Sequence, residues 1–200
     1  MAVSPRRVGA ETRAHMLDAA EALMRDEGYA AVSTRRVAAR AGLKPSLVHY
    51  YFPTTDDLLI ALCQRGAEQS DAMLDAALAS PDPLRALWEF FSDTSRTALT
   101  LEFMALANHR KAIRAFMVEH SEAMRARQVA RLAQLAAARP GAFAGIPPEA
   151  LSLILAGIGR VLIMEGALGV AAGHAEARAA VGAWLDASTA EREAALAAAP

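Results

Sequence analysis

Between residues 33 and 53 the chain carries four cationic side chains, Arg35, Arg36, Arg40 and Lys44, and no acidic one. Interleaved with them are the hydrogen-bonding side chains of Thr34, Ser46, His49, Tyr50 and Tyr51. Guanidinium and ammonium groups pair with phosphate, and the arginine fork matches the acceptor edge of guanine. The chemistry this stretch offers is recognition of a phosphate backbone and of base edges rather than bond making. Elsewhere there is no glycine-rich phosphate loop, no nucleophile elbow and no convincing carboxylate pair. No catalytic residue is assigned and no enzyme is expected. The histidines, His15, His49, His109, His120 and His174, show no paired metal-ligand spacing, so neither a metal nor a cofactor is expected.

The elements that would hold these side chains can be read from local signals. Ser33 is placed to accept a hydrogen bond from the free N–H groups that open a helix. Val37, Ala38 and Ala41 then share one face at helical spacing. Gly42 suits the left-handed position that ends a helix, and Pro45 fits the first turn of the next. Val48 and Phe52, four apart, face inward and leave Ser46, His49 and Tyr50 outward. Helix, short turn and second helix make a helix-turn-helix, whose second helix enters the DNA major groove. A preceding helix over residues 11–27 turns Met16, Leu17, Ala20, Leu23 and Met24 inward and Arg13, Asp18, Glu21 and Arg25 outward. It packs across the pair, giving a three-helix domain over 1–53 whose small core leans on the helices C-terminal to it. Residues 1–10 read as an arm, with Arg6 and Arg7 either on phosphates or in solvent.

Charge is divided along the chain. Residues 1–53 hold eight Lys and Arg against five Asp and Glu, a net +3, and residues 54–200 hold thirteen against seventeen, a net −4. A whole-chain charge of −1 thus hides a basic end of the kind that supplies the salt-dependent phosphate term. Alanine-rich, 54% hydrophobic and without β-branched alternation, the chain reads as all-α with about nine helices. Cys63 stands alone, which excludes an intrachain disulfide and points to a reducing, cytoplasmic setting. It sits on an apolar helical stripe without a basic neighbour, which favours an inert buried thiol. No apolar run comes after Arg6 and Arg7, so no signal peptide is expected. The most apolar segment, 151–172, is interrupted by Arg160 and Glu165. Each such charge costs roughly 2.5–3.5 kcal/mol at the centre of a span, so no membrane partner is expected.

Residues 54–200 read as a helical bundle. Helices are predicted over about 54–79, 84–99, 101–108, 111–138, 149–170 and 176–187, with breaks at Ser80-Pro81-Asp82-Pro83, Arg139-Pro140-Gly141 and Gly145-Ile146-Pro147-Pro148. Thr54 and Thr55 are candidate caps, with Asp56 and Asp57 next in a positive first turn. The helix over 149–170 is apolar all round and needs burial all round. The chain's own core covers one face and a second copy is the economical cover for the other. Leu151, Ile154, Leu155, Ile158, Leu162, Val181, Trp184 and Leu185 are the expected dimer interface, and Gly157 and Gly159 permit close helix approach.

These residues resemble the TetR family of bacterial transcription regulators. The likeness is carried by Met16-Leu17-Asp18-Ala19-Ala20, Gly28-Tyr29, Ser33-Thr34, Val37-Ala38, Ala41-Gly42, Tyr51-Phe52-Pro53 and Asp57-Leu58-Leu59. It covers about a quarter of the chain. The resemblance implies a DNA-binding domain over 1–53 and a ligand-binding and dimerisation domain over 54–200. It implies a homodimer on a palindromic double-stranded operator, more a repressor than an activator, released by a small-molecule effector. Thr34 then falls where family members contact phosphate, and Arg35 where some read guanine. Lys44, Pro45, Ser46, Leu47, His49 and Tyr50 fall on the recognition helix or its entrance. Tyr51 and Thr55 complete the expected DNA contacts, Thr55 standing where a lysine often clamps phosphate. Lys44 departs from the usual capping Ser or Thr, and His49 from a frequent tyrosine. For the effector, His109 and His120 lie eleven apart and would face the same way on one helix. With Phe103, Met104, Asn108, Phe116, Met117 and Met164 they would flank a pocket for an apolar or amphipathic molecule, ordinary core packing being the alternative. Glu165 either anchors an effector or pairs across the dimer. A helical small-molecule-binding protein without DNA affinity is the competing functional class.

Overall fold

The computed structural model describes residues 5–93, 97–138, 143 and 145–197, and among them the chain is helical without strands. The helices are α1 (Pro5–Glu27), α2 (Thr34–Ala41), α3 (Pro45–Tyr51), α4 (Thr55–Ala79), α5 (Pro83–Ser92), α6 (Thr97–His109), α7 (Lys111–Ala138), α8 (Pro148–Ala167) and α9 (His174–Ala197), with a 3-10 turn at Tyr29–Ala31. The all-α expectation holds. The side chains of Arg6 and Arg7 and the expected break at Arg139, Pro140 and Gly141 lie outside the described residues.

Two compact units form, one from residues 1–69 and 98–119, the other from 70–97 and 120–200. In the first, Met16, Leu17, Ala20, Leu23 and Met24 of α1 meet Val37 and Ala38 of α2 and Val48 and Phe52 at α3. Leu58, Leu59, Leu62 and Cys63 of α4, Phe103 and Leu106 of α6 and Ile113 of α7 complete this core. Packing therefore runs straight across residue 53. A three-helix head of that size buries too little apolar surface unaided, and each further leucine or phenylalanine covered adds about 1.5–3 kcal/mol.

In the second unit Leu74 of α4, Leu84, Leu87 and Trp88 of α5, Leu132 of α7, Leu151, Leu155 and Leu162 of α8 and Leu185 of α9 form the core. A Cβ built on Gly159 would stand 2.4 Å from the carbonyl oxygen of Phe91, so the backbones of α5 and α8 touch there. Length and composition alone would let α8 cross a bilayer. Instead Leu151, Ser152, Leu155, Ala156, Gly159 and Leu162 are buried within this unit.

Several expectations are corrected. Helix α1 begins at Pro5, so residues 5–10 are helix rather than arm. Proline is preorganised for a first helical turn, and Gly9 leaves room for the Tyr51 hydroxyl, which a Cβ there would meet at 3.3 Å. The alanine-rich tail after residue 187, whose composition suits either helix or a frayed end, continues α9 to Ala197. The break at Arg110 between α6 and α7 puts His109 and His120 on different helices, which removes the argument that they face the same way. Leu151, Leu155, Leu162 and Leu185 are covered by their own unit and are not available to a partner. The uncovered side of α8 shows Leu153, 60% exposed, Val161, 51% exposed, Ile154 and Met164.

Candidate nucleic-acid interface

Ser33 has extended backbone angles and its hydroxyl accepts the Arg36 N–H at 3.3 Å, opening α2. Gly42 closes α2 at φ 67°, and its N–H reaches the carbonyls of Ala38 and Ala39. The Leu43 N–H also bonds Ala38 O, at 2.9 Å, which sets the short turn into α3. Lys44 occupies the cap position of α3 without a side-chain cap bond, and Pro45 is its first residue. A cation there opposes the helix dipole by about 0.3–1 kcal/mol. Val48 and Phe52 hold α3 by its inner side. The Arg13 guanidinium lies over the Phe52 ring at 5.4 Å, and His15 Nε2 is 3.0 Å from Ala41 O. Both contacts lock α1 to the α2–α3 pair.

What remains outward is one polar face. Arg35, Lys44, Pro45, Ser46, Leu47, His49 and Tyr50 are exposed, Tyr50 at 79%. The Tyr50 ring meets Tyr51 edge-on at 5.4 Å. Thr34, Tyr51 and Thr55 are half-buried. Tyr51 packs on the first core. Thr54, not Thr55, caps α4: its hydroxyl accepts the Asp57 N–H at 3.1 Å and donates to Asp57 Oδ2 at 2.7 Å. The next residue after Thr55, Asp56, is held by Arg110 at 2.8 Å.

The cations of this face are not equivalent. Arg36 pairs with Glu27 at 2.7 Å and Arg40 with Asp26 at 2.6 Å. Among the described residues no acid meets Arg35 or Lys44. The charge count over 33–53 missed this because the two acids lie at the end of α1, outside the stretch. Exposed pairs of this kind are worth about 0–1 kcal/mol.

Other residues bear on how the face is held. Glu102 of α6 accepts the Tyr29 N–H at 2.6 Å, and the His109 ring stacks on Tyr29 at 6.2 Å between centroids. Arg65 of α4 reaches Asp18 at 2.6 Å, Glu21 at 2.5 Å and Leu17 O at 2.9 Å. None of these ties was legible from spacing, since each joins helices distant in sequence. Cys63 is buried, and burial raises its thiol from an ordinary 9.0 to about 11. That fits the inert reading.

The expected pocket residues do not assemble as one group. Phe103 is in the first core, with Phe116 and Met117 packed against it, while Met104, Asn108 and His109 are exposed. His120 and Met164 belong to the second unit, where His120 Nδ1 lies 3.8 Å from Asp71. Glu165 pairs within its own chain, with His174 at 2.9 Å. A cleft of about 210 Å³ lies instead between α1 and α4, lined by Ala10, Arg13, Leu17, Gln64, Arg65 and Glu68 among others. None of the expected ligand residues lines it.

A family model described as "Bacterial regulatory proteins, tetR family" matches residues 16–62. The HTH-type transcriptional regulator BetI of Rhizobium meliloti (strain 1021) is 30% identical over 131 residues, 64% of this chain and 59% of that protein. The HTH-type transcriptional repressor KstR of Mycolicibacterium smegmatis is 40% identical over 78 residues, 38% of each chain. The chain thus spans less than two thirds of the length of either relative. A TetR transcription regulator from Haloarcula marismortui superposes with TM-score 0.73 at 21% identity, over 89% of this chain and 98% of that one. A transcriptional regulator from Saccharomonospora viridis in complex with choline does so with TM-score 0.71 at 19% identity, over 82% and 88%. These two likenesses are of fold.

Proposed function

We propose that the chain is a member of the TetR family of bacterial regulatory proteins, which its match over residues 16–62 and its two regulator relatives support, and that it is a ligand-responsive repressor that binds a palindromic operator as a homodimer in the cytoplasm. The family and these relatives are transcriptional regulators, not enzymes. One observation carries the reading: α3 is held by Val48 and Phe52 and turns a polar face outward, flanked by the unneutralised Arg35 and Lys44. In this reading residues 1–53 supply the DNA contacts. Arg35, Lys44, Ser46, His49 and Tyr50 enter the major groove or meet its phosphates, with Thr34 on the backbone. Residues 54–200 supply dimerisation and the effector site. The dimer face is Leu153, Ile154, Val161 and Met164 of α8 with the half-buried Val181 and Trp184 of α9. An uncovered apolar row of this kind marks an association surface. The repressor named among the relatives and the choline complex among the fold neighbours support repression and effector binding by this fold.

The test is a mobility-shift assay with a duplex selected from random DNA, run at two salt concentrations. Sequence-specific retention that weakens with salt supports the regulator. No retention of any selected duplex favours a helical ligand-binding protein without DNA affinity.

A further inference from the structure

A second cationic patch lies far from the head in sequence. Between Glu102 and Glu119 the chain carries Arg110, Lys111 and Arg114 and no acid. Residues 54–200 are net −4 with these three cations counted and −7 without them. All three are exposed, at the corner where α6 gives way to α7. The corner belongs to the same compact unit as the head.

Named contacts hold it there. Arg110 Nη1 donates to Asp56 Oδ1 at 2.8 Å, in the first turn of α4. The His109 ring stacks on Tyr29, and Glu102 accepts the Tyr29 N–H, at the 3-10 turn that leads into α2. Asp56 is five residues past Tyr51, the last residue of α3, so the backbone allows at most about 18 Å between them. The corner is thus fastened beside the end of the helix assigned above to the major groove, and phosphates run along both edges of that groove.

The three cations are engaged to different degrees. Arg114 donates to Ala107 O at 3.0 Å and to Asn108 O at 3.2 Å, at the end of α6 where unpaired carbonyls favour a cation. Arg110 offsets Asp56, a carboxylate that would otherwise repel a phosphate beside Thr55. Asp57, the other acid of that turn, accepts the Thr54 N–H and hydroxyl at 3.0 and 2.7 Å. Lys111 is exposed, and no acid meets it among the described residues. It is the counterpart, outside residues 1–53, of Arg35 and Lys44.

We infer that the α6–α7 corner is a second contact with duplex DNA: Lys111 meets an operator phosphate, and Arg110 keeps Asp56 from repelling one. The inference rests on the DNA-binding reading above and extends its interface beyond residues 1–53. Phosphate contacts carry no sequence information directly, so the corner adds affinity without base preference.

The full chain and its variants are titrated with the duplex selected from random DNA, by fluorescence anisotropy across a salt series. Lys111→Gln weakens binding by about three- to tenfold at low salt and makes the slope of log affinity against log salt shallower by about one, equally for every singly substituted operator. Arg178→Gln, the same charge change at an exposed position of the other unit, leaves both unchanged. Arg110→Gln weakens binding at least as much as Lys111→Gln, and Asp56→Asn in the same chain restores part of the loss. An unchanged slope in Lys111→Gln, a loss matched by Arg178→Gln, or a loss confined to one base pair overturns the corner as a phosphate contact. A loss in Arg110→Gln that Asp56→Asn does not ease overturns the part given to Arg110. Unaltered protein that binds no selected duplex sinks the regulator reading and the corner with it. Salt-dependent binding with an unchanged Lys111→Gln slope sinks the corner alone.

Discussion

Arg36 donates from Nη2 to both oxygens of Glu27, at 2.8 and 2.7 Å. Its neighbour in sequence, Arg35, meets no acid among the described residues. The arrangement ranks the cations of the head: Arg36 and Arg40 begin neutralised, whereas Arg35 and Lys44 begin ready for phosphate or base.

Glu27→Gln releases Arg36. Affinity for random duplex rises, and the slope of log affinity against log salt steepens by about one. Fluorescence anisotropy across a salt series measures it. An unchanged slope places Arg36 off the DNA.

Arg35→Ala acts on selectivity. A bidentate arginine–guanine pair discriminates by roughly 1–3 kcal/mol, so the loss falls at one base pair of a panel of singly substituted operators. A uniform loss over the panel reassigns Arg35 to phosphate.

Gly159 and Gly157 part company. Gly159→Ala drives a Cβ to within 2.4 Å of Phe91 O and costs about 1–3 kcal/mol as overpacking. Gly157→Ala enters open space and raises the stability of the chain by roughly 0.5–1 kcal/mol through helix propensity. Urea midpoints of the two variants measure the contrast, and equal midpoints would contradict the α5–α8 approach.

The two sides of α8 separate the same way. If α8 forms the proposed dimer face, Val161→Glu, on the uncovered side, leaves a folded monomer in sedimentation. Leu155→Ala, on the covered side, costs about 2–5 kcal/mol of stability. A Val161→Glu protein that still sediments as a dimer moves the interface elsewhere.

Cys63 gives a pH dependence. Its folded pKa of about 11 lies above the ordinary 9.0, so the folded chain holds the proton longer than the unfolded one. That contribution to stability is whole below pH 9 and is lost as pH rises from 9 through 11. Cys63→Ala flattens stability in this window. A folded protein whose thiol is alkylated rapidly at pH 8 would contradict the burial.

The head was legible because its signals are local. Ser33, Gly42 and Pro45 act within a few residues of themselves, and Val48 and Phe52 keep to one helical period. The pairing of Arg36 with Glu27 was not, because it depends on how the end of α1 meets α2. The α6–α7 junction at Arg110 does fall where the helices expected over 101–108 and 111–138 part. On α8 periodicity alone could not rank the sides of a helix apolar all round. Leu151 and Leu155 proved to be core, while Leu153 and Val161 stayed uncovered.

The first core also has a consequence for engineering. Because Leu58, Leu59 and Leu62 and the more distant Phe103, Leu106 and Ile113 complete it, a chimera that transplants residues 1–53 leaves their complementary surfaces bare. A graft that keeps the DNA preference of this head has to bring α4 up to residue 69 and the α6–α7 corner over 98–119 with it. On the proposed reading the specificity module is therefore discontinuous in the gene, and a single crossover that carries all of it also carries residues 70–97 of the other unit.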